Sequence, residues 1–125
     1  GEIMSWERGH LDEFTRSYVE TALWASTTED GTPMDKLYEV EDVADDAMKE
    51  MIVDCKNFQN RAGDLILRNL KRAGHDFWLT RNGHGAGFWD GDWGDKDGDT
   101  LTELARSFGE SVLYDGVDEK VYLFS

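Results

Sequence analysis

Apolar residues recur at three- and four-residue steps over residues 43–70, and this repeat constrains the fold more than any other feature of the sequence. Such spacing places apolar side chains on one face of an α-helix. It predicts a long helix that starts after an N-cap at Asp42, runs to about Arg72 and stops at Gly74. Gly63 falls inside this range and leaves two alternatives, one continuous helix or two shorter ones.

A helix is also predicted before this one, over His10–Ser26. Phe14, Tyr18 and Ala22 stand four residues apart, which is the spacing of one buried helical face. The only proline of the chain, Pro33, follows in a polar stretch. We therefore expect the first helix to end and a surface loop to begin there.

After Gly74 the pattern changes to a period of two. Residues 75–80 alternate in character, which predicts a first strand. Asn82-Gly83 is typical of a tight hairpin turn. The glycine-rich segment 84–90 is predicted to be the partner strand.

The last part of the chain predicts one more helix and a second hairpin. Asp99 or Thr100 would cap a helix that ends at Gly109, since Thr100 and Glu103 have the spacing of a capping box. The segment SVLYDGVDEKVYLF then predicts two strands around a turn at Asp115-Gly116.

These elements give the order α-α-β-β-α-β-β. The order indicates an α+β domain, in which an antiparallel sheet of about four strands packs against two long helices and one short helix. Residues 1–125 have the length of a single domain. We expect residues 1–3, which precede Met4, to be a cloning remnant.

Charge is the strongest global feature of the sequence. The chain has 13 lysine and arginine residues against 27 aspartate and glutamate residues, a net charge of −14. Such a chain repels phosphate backbones and anionic lipids, so we expect no direct binding to nucleic acid or membrane. The partner that this charge favours is a basic protein, and the alternative is an acidic surface that only confers solubility. No apolar run approaches about 18 residues, so no transmembrane helix is expected.

Cys55 is the only cysteine. It excludes an intramolecular disulfide and a cysteine-based zinc site, and it agrees with a reducing cytosol. Because it belongs to the apolar series of the predicted long helix, we expect a buried and unreactive thiol. Residues 1–10 lack a basic segment followed by an apolar run, so we expect no secretory signal and a cytoplasmic location.

Seven acidic residues, offset only by Lys49, surround the start of the predicted long helix. Three of them recur every four residues and would form one carboxylate ridge, at a small cost in helix stability. Such a surface could imitate the phosphate spacing of DNA and occupy the basic cleft of a DNA-binding protein. The alternative is ordinary solvation. The predicted partner-binding residues are Glu39, Glu41, Asp42, Asp45, Asp46, Glu50 and Asp54.

Four residues around the predicted first hairpin are the candidates for catalysis. His75, Asp76, His84 and Asp90 could serve a hydrolase or a metal-dependent enzyme, because a short turn brings the two ends of a hairpin together. In the alternative interpretation, His75 and His84 only satisfy hydrogen bonds at strand ends. The sequence has no G-x-S-x-G elbow and no phosphate-binding glycine motif.

Asp95, Asp97 and Asp99 are the candidate metal ligands, because they alternate like the first ligands of an EF-hand loop. The register then fails, since Thr100 stands where that loop needs glycine and Arg106 stands where it needs glutamate. We therefore expect a solvated turn here, with no metal and no cofactor.

Three tryptophans support one more hypothesis, a nucleotide or peptide binder. Trp78, Trp89 and Trp93 would serve it if their rings were exposed. The alternative is that several of them pack in the core, as aromatic residues at alternating strand positions usually do.

The segment GHDFWLTRNGHGAGFWD, residues 74–90, resembles a family of small proteins encoded in bacteriophage and prophage genomes. The likeness includes LTELARSFGE, the terminal YDG and VYLF, and FTRSYVETALWAST near the front of the chain. The segment DGDWGDKDGD is more acidic than the usual pattern of the family. That family has no established activity, so the resemblance implies a phage accessory protein and assigns no catalytic residue.

Small acidic phage proteins often bind a host protein, and some inhibit restriction or other defence systems by mimicking DNA. The resemblance and the charge together favour a non-enzymatic protein that binds a basic host or phage protein in the cytoplasm of an infected bacterium. The hypotheses of a DNA mimic and of another anti-defence inhibitor both fit. The alternatives are the hydrolase described above and an acidic globular domain with no specific partner.

Overall fold

The computed structural model describes residues 11–83, 87–88 and 93–125. Within these ranges four α-helices precede a two-stranded antiparallel sheet, so the α+β class is confirmed. The predicted combination of three helices and about four strands is wrong for the described residues. The elements are α1 (Glu13–Ala25), α2 (Asp45–Ala62), α3 (Leu70–Arg81), α4 (Asp95–Arg106), β1 (Val112–Asp115) and β2 (Val121–Phe124).

Helix α1 confirms the first predicted helix over Glu13–Ala25. Its N-cap is Asp12, whose carboxylate accepts a hydrogen bond from the backbone N–H of Thr15 at 2.8 Å. The chain becomes extended after Ala25, and Thr27 pairs with Pro33 in an isolated β-bridge. The residues that α1 buries include Phe14, Tyr18, Val19, Ala22 and Leu23.

The predicted long helix is two helices, and Gly63 separates them. Helix α2 follows Ala44, not the predicted cap Asp42, and ends where Gly63 adopts a φ of +56°, a left-handed conformation that favours glycine. A 3₁₀ turn over Gly63–Ile66 follows. Asn69 then caps α3 by accepting from the backbone N–H of Arg72 at 3.0 Å. The apolar series crosses this break because both helices bury residues in the same core.

The predicted first strand, residues 75–80, is wrong because these residues lie within α3. Every residue from Asp76 to Arg81 is buried, so this helix lacks the polar face by which helices are recognised in a sequence. The predicted turn at Asn82-Gly83 therefore follows a helix. Most of the predicted partner strand, residues 84–90, lies outside the described residues, and Gly87 and Phe88 are not in a strand.

Gly74 lies inside α3 and not at the end of a helix, as predicted. At this point α3 crosses α1 so closely that a Cβ atom on Gly74 would lie 2.2 Å from the backbone oxygen of Phe14. Only a glycine permits this approach. Nearby, the hydroxyl of Ser17 donates to the backbone oxygen of Lys71 at 2.7 Å, which joins the two helices.

Helix α4 begins at Asp95, earlier than the predicted cap at Asp99 or Thr100. Its N-cap is Gly94, and the hydroxyl of Thr100 donates within the helix to the backbone oxygen of Lys96 at 3.1 Å. Acidic side chains near the start of a helix are favourable because they face the positive end of its dipole. This preference favours a helix over residues 95–99, where the sequence predicts a solvated turn.

The hairpin predicted after α4 is confirmed, but its loop spans residues 116–120, and Asp115, predicted in the turn, is the last residue of β1. β1 and β2 pair antiparallel, with Val112 opposite Phe124 and Tyr114 opposite Tyr122. One face of the hairpin packs on the helices, where Leu113 and other residues are buried. The backbone N–H of Ala44 donates to Val121 at 2.8 Å and ties β2 to the start of α2.

Aromatic rings form the centre of the core. Phe58 of α2 stacks on Phe77 of α3, with ring centroids 4.2 Å apart, and Phe14 of α1 lies 5.7 Å from Phe58. Phe88 and Phe108 extend the same cluster. None of the helices in the described ranges has the length and hydrophobicity that crossing a bilayer requires.

Candidate functional site

Residues 39–50 form the acidic segment, which contains most of the predicted partner-binding residues. It consists of a 3₁₀ turn over Val40–Asp42 and the first turns of α2. The turn is closed by a reciprocal capping box, in which the Asp42 carboxylate accepts from the backbone N–H of Glu39 at 2.8 Å. Asp42 itself is half-buried. The exposed acidic residues of the segment are Glu39, Glu41, Asp45, Asp46 and Glu50.

Asp54, the last residue of the predicted ridge, has a different environment. Its carboxylate accepts a hydrogen bond from the guanidinium of Arg81 at 2.8 Å, and the Arg81 side chain is 2% exposed. Asp54 thus compensates a buried cation. The exposed part of the ridge consists of Asp46 and Glu50, one helical turn apart.

Arg81 is a structural centre that no local pattern in the sequence indicates. Its guanidinium also donates to the hydroxyl of Tyr18 at 2.9 Å and to the backbone oxygens of Phe108 and Gly109 at 3.0 and 2.8 Å. Burial raises the pKa of Tyr18, although the nearby Arg81 opposes this shift. These bonds join α1, α2, α3 and the residues that follow α4, and they use one of the chain's 13 lysine and arginine charges internally.

The acidic segment borders the hairpin. The hydroxyl of Ser125, just after β2, donates to the carboxylate of Glu50 at 2.7 Å. On the exposed side of the hairpin, the rings of Tyr114 and Tyr122 stack with centroids 5.7 Å apart. The hydroxyl of Tyr122 donates to Asp118, which raises the pKa of Tyr122 and lowers that of Asp118. Carboxylates and exposed aromatic rings therefore meet on this side of the molecule.

Of the four candidate catalytic residues, the structure describes His75 and Asp76, and His84 and Asp90 lie outside the described residues. His75 and Asp76 are neighbours on α3, with Nδ1 3.0 Å from Oδ1. The sequence groups them with His84 and Asp90 through a predicted hairpin, but the predicted first strand of that hairpin is part of α3.

Asp76 is fully buried and has several partners. Besides contacting His75, its carboxylate accepts from the indole N–H of Trp93 at 2.8 Å and from the guanidinium of Arg72 at 3.3 Å. These bonds compensate the buried charge and hold the start of α4 against α3. They give Asp76 a structural role in the described part of the molecule.

The three candidate metal ligands lie on α4. Asp95 and Asp99 are exposed and one turn apart, while Asp97, two residues from each, lies on a different side of the helix. In the parts of the chain with described coordinates, no group of three or more histidine, cysteine, aspartate or glutamate side chains could hold a metal ion.

Two of the three candidate binding tryptophans are core residues. Trp78 and Trp93 are each 2% exposed, and Trp89 lies outside the described residues. The guanidinium of Arg68 lies 5.0 Å above the Trp93 ring. Among the tryptophans that the structure describes, the exposed one is Trp24 of α1, which is 58% accessible.

Trp24 borders a cavity of about 570 Å³ between α1 and the start of α3. The ring of His75 lies 6.1 Å from that of Trp24 across this cavity. Its charged lining is mixed, because Glu20 and Asp35 stand against Lys71 and Arg72. It therefore has no charge preference that would identify a ligand.

Cys55 is fully buried on α2, as its place in the apolar series predicted. Burial raises the pKa of its thiol well above the ordinary value. Both properties disfavour a nucleophilic role.

Comparison of the chain with models of known protein families, with curated proteins and with solved structures finds no match.

Proposed function

We propose that this chain is a non-enzymatic accessory protein of phage type that binds a basic, DNA-binding protein in the cytoplasm of an infected bacterium. The acidic segment is the proposed contact surface. The observation that carries the proposal is the exposure of five carboxylates within residues 39–50 of a chain whose net charge is −14. A charge of this sign and density attracts a basic cleft from several ångströms away, within the Debye length of about 8 Å at physiological salt.

The conformation of the acidic segment supports the proposal. The capping box at Glu39 and Asp42, and the bond from Ala44 to Val121, fix its backbone against the rest of the fold. A preordered charged surface loses little conformational entropy when it binds. A DNA mimic needs this property, because the positions of its charges must match a site shaped for phosphates.

The distribution of the positive charges also supports the proposal. Arg81 is buried against Asp54, and the partly exposed Arg72 pairs with the buried Asp76. The burial of Arg81 removes one cation from the surface, while the carboxylates of the acidic segment stay accessible. Within the segment the only basic residue is Lys49.

A pull-down from host lysate tests the proposal. We expect the wild type to capture a DNA-binding protein at about 50 mM salt, to lose it near 500 mM, and to release it when duplex DNA is added. The test variant carries Asp46→Lys and Glu50→Lys. The matched control carries Asp99→Lys and Glu103→Lys, an equal charge change at two exposed residues one turn apart on α4.

The test variant should lose the captured protein and the control should keep it. Capture that survives about 1 M salt, or that is the same for the two variants, would contradict the proposal.

A further inference from the structure

The outer edge of β1 has no strand beside it in the described part of the molecule, since the sheet there consists of β1 and β2 alone. In an antiparallel pair, successive residues direct their backbone groups alternately toward the partner and away from it. At the turn, the backbone N–H of Gly116 donates to the carbonyl oxygen of Lys120, so both residues direct these groups toward the partner strand. The next residue, Val121, directs its carbonyl away from β1 and accepts from the backbone N–H of Ala44. By the same alternation, Leu113 and Asp115 direct their N–H and C=O groups away from β2.

A cavity of about 310 Å³ lies beside this edge. It is walled by the end of α1, the end of α3 and the first residues of β1. Trp78 and Ser111 belong to its lining, and the indole N–H of Trp78 and the hydroxyl of Ser111 are buried without a hydrogen-bond partner among the described residues. Buried polar groups of native proteins are nearly always bonded, so two of them in one cavity indicate a ligand that supplies the missing partners. The principal lining residues are Ala25, Thr27, Trp78, Asn82, Glu110 and Ser111.

We infer that the outer edge of β1 and this cavity bind an extended peptide segment with arginine or lysine at alternate positions. We call this place the β1 edge site and define it by Trp78, Ser111 and Leu113. The inference rests on the proposed function for the charge of the partner. An added strand would pair with the outward backbone groups of Leu113, and one of its carbonyl oxygens would accept from Trp78.

The two sides of the site explain the alternating pattern. The cavity side combines the apolar residues Ala25, Trp78 and Leu113 with polar ones, which include Thr27, Asn82 and Ser111, and its volume suits small side chains. The other side continues the exposed face of the hairpin, where Val112 is 55% and Tyr114 is 49% exposed. A basic side chain on that side lies near aromatic rings, which attract cations, and near the carboxylates of the hairpin loop.

A second copy of the chain is the less favoured occupant of the same edge. Two copies would each bring a net charge of −14 to the interface. A basic segment instead finds complementary charge, including the exposed Glu110 at the cavity itself.

The experiment is an NMR titration of the ¹⁵N-labelled full chain with the synthetic peptide acetyl-Arg-Val-Arg-Val-Arg-Val-amide. We expect downfield shifts of the Trp78 indole N–H and of the Leu113 amide as both form hydrogen bonds. The same peptide with alternate backbone amides N-methylated should bind at least about tenfold more weakly, because it cannot complete the ladder. An otherwise equal peptide with glutamate in place of arginine should not bind.

Trp78→Phe and Ser111→Ala test the two unpaired groups. Each removes a buried polar group that has no partner in the free protein, so the fold should be retained while peptide affinity falls about tenfold for Trp78→Phe. Trp24→Phe, at an exposed site on α1, is the control and should leave the affinity unchanged.

Several results would overturn the inference. Shifts confined to the acidic segment, equal binding of the N-methylated peptide, or unchanged affinity in Trp78→Phe would each exclude the β1 edge site. Shifts of Leu113 that depend on protein concentration without peptide would assign the edge to a second copy. If the lysate capture still depends on Asp46 and Glu50, the proposed function stands and only the β1 edge site is wrong.

Discussion

Replacing Gly74 by alanine tests the closest contact in the fold. The added Cβ would lie 2.2 Å from the backbone oxygen of Phe14 and 3.2 Å from the backbone nitrogen of Tyr18. No side-chain rotation relieves a clash with backbone atoms, so α1 and α3 would have to separate by about 1 Å in a close-packed core. Overpacking of this kind costs about 3 kcal/mol, and the better helix propensity of alanine returns about 1 kcal/mol. The expected loss is about 2 kcal/mol.

Urea unfolding monitored by circular dichroism measures this loss, and thermal unfolding should show a Tm lower by about 8 °C. Lys71→Ala is the control, because it places alanine on the same helix at an exposed position and should change stability by less than about 0.5 kcal/mol. If Gly74→Ala is as stable as the wild type, or more stable, then α1 and α3 do not cross at Gly74 and the described packing is wrong.

Three further substitutions and one labelling experiment test the interior. Arg81→Lys should lower the free energy of unfolding in urea by about 3 kcal/mol, because lysine cannot reach all four acceptors. Asp54→Asn should cost less, since Arg81 keeps its other partners. An Arg81→Lys variant as stable as the wild type would refute this network. Cys55 should resist thiol labelling at pH 8 in the native state and react fully in denaturant, because burial both covers the thiol and raises its pKa. Fast labelling of the native protein would contradict this burial. Asp76→Asn should destabilise by about 2 kcal/mol and red-shift tryptophan emission, because a neutral amide has one acceptor oxygen in place of the two that Trp93, Arg72 and His75 share. An unchanged emission spectrum and stability would argue against these bonds.

The elements that the sequence predicts well are those with a polar side. Helix α1 keeps the charged residues Glu13, Arg16 and Glu20 on one face, and β1 of the terminal hairpin alternates between buried and exposed positions. These local patterns are sufficient to identify both elements. Helix α3 is buried along most of its length, so its sequence shows no amphipathic period and was interpreted as a strand. Gly74 also favours the wrong prediction, in which a helix ends at this residue. The sequence alone does not distinguish a glycine that ends a helix from one that lets two helices pack closely.

The candidate site was predictable in part for the same reason. Five exposed acidic residues of the acidic segment follow from charge and helical spacing alone. The environment of Asp54 does not, because its partner Arg81 lies 27 residues away and meets it only through the packing of α2 against α3. The unpaired groups of Trp78 and Ser111 likewise depend on tertiary structure, and no local pattern signals them.

The measurement that tests the central claim most directly is the salt dependence of association between this protein and the DNA-binding protein it captures. Surface plasmon resonance should show association rates that fall steeply between about 50 and 500 mM salt, with Asp46→Lys/Glu50→Lys reducing the rate at least about tenfold at low salt. The dissociation rate should change less. Association that is independent of salt, or equal in the wild type and this variant at every salt concentration, would contradict a function carried by the acidic segment.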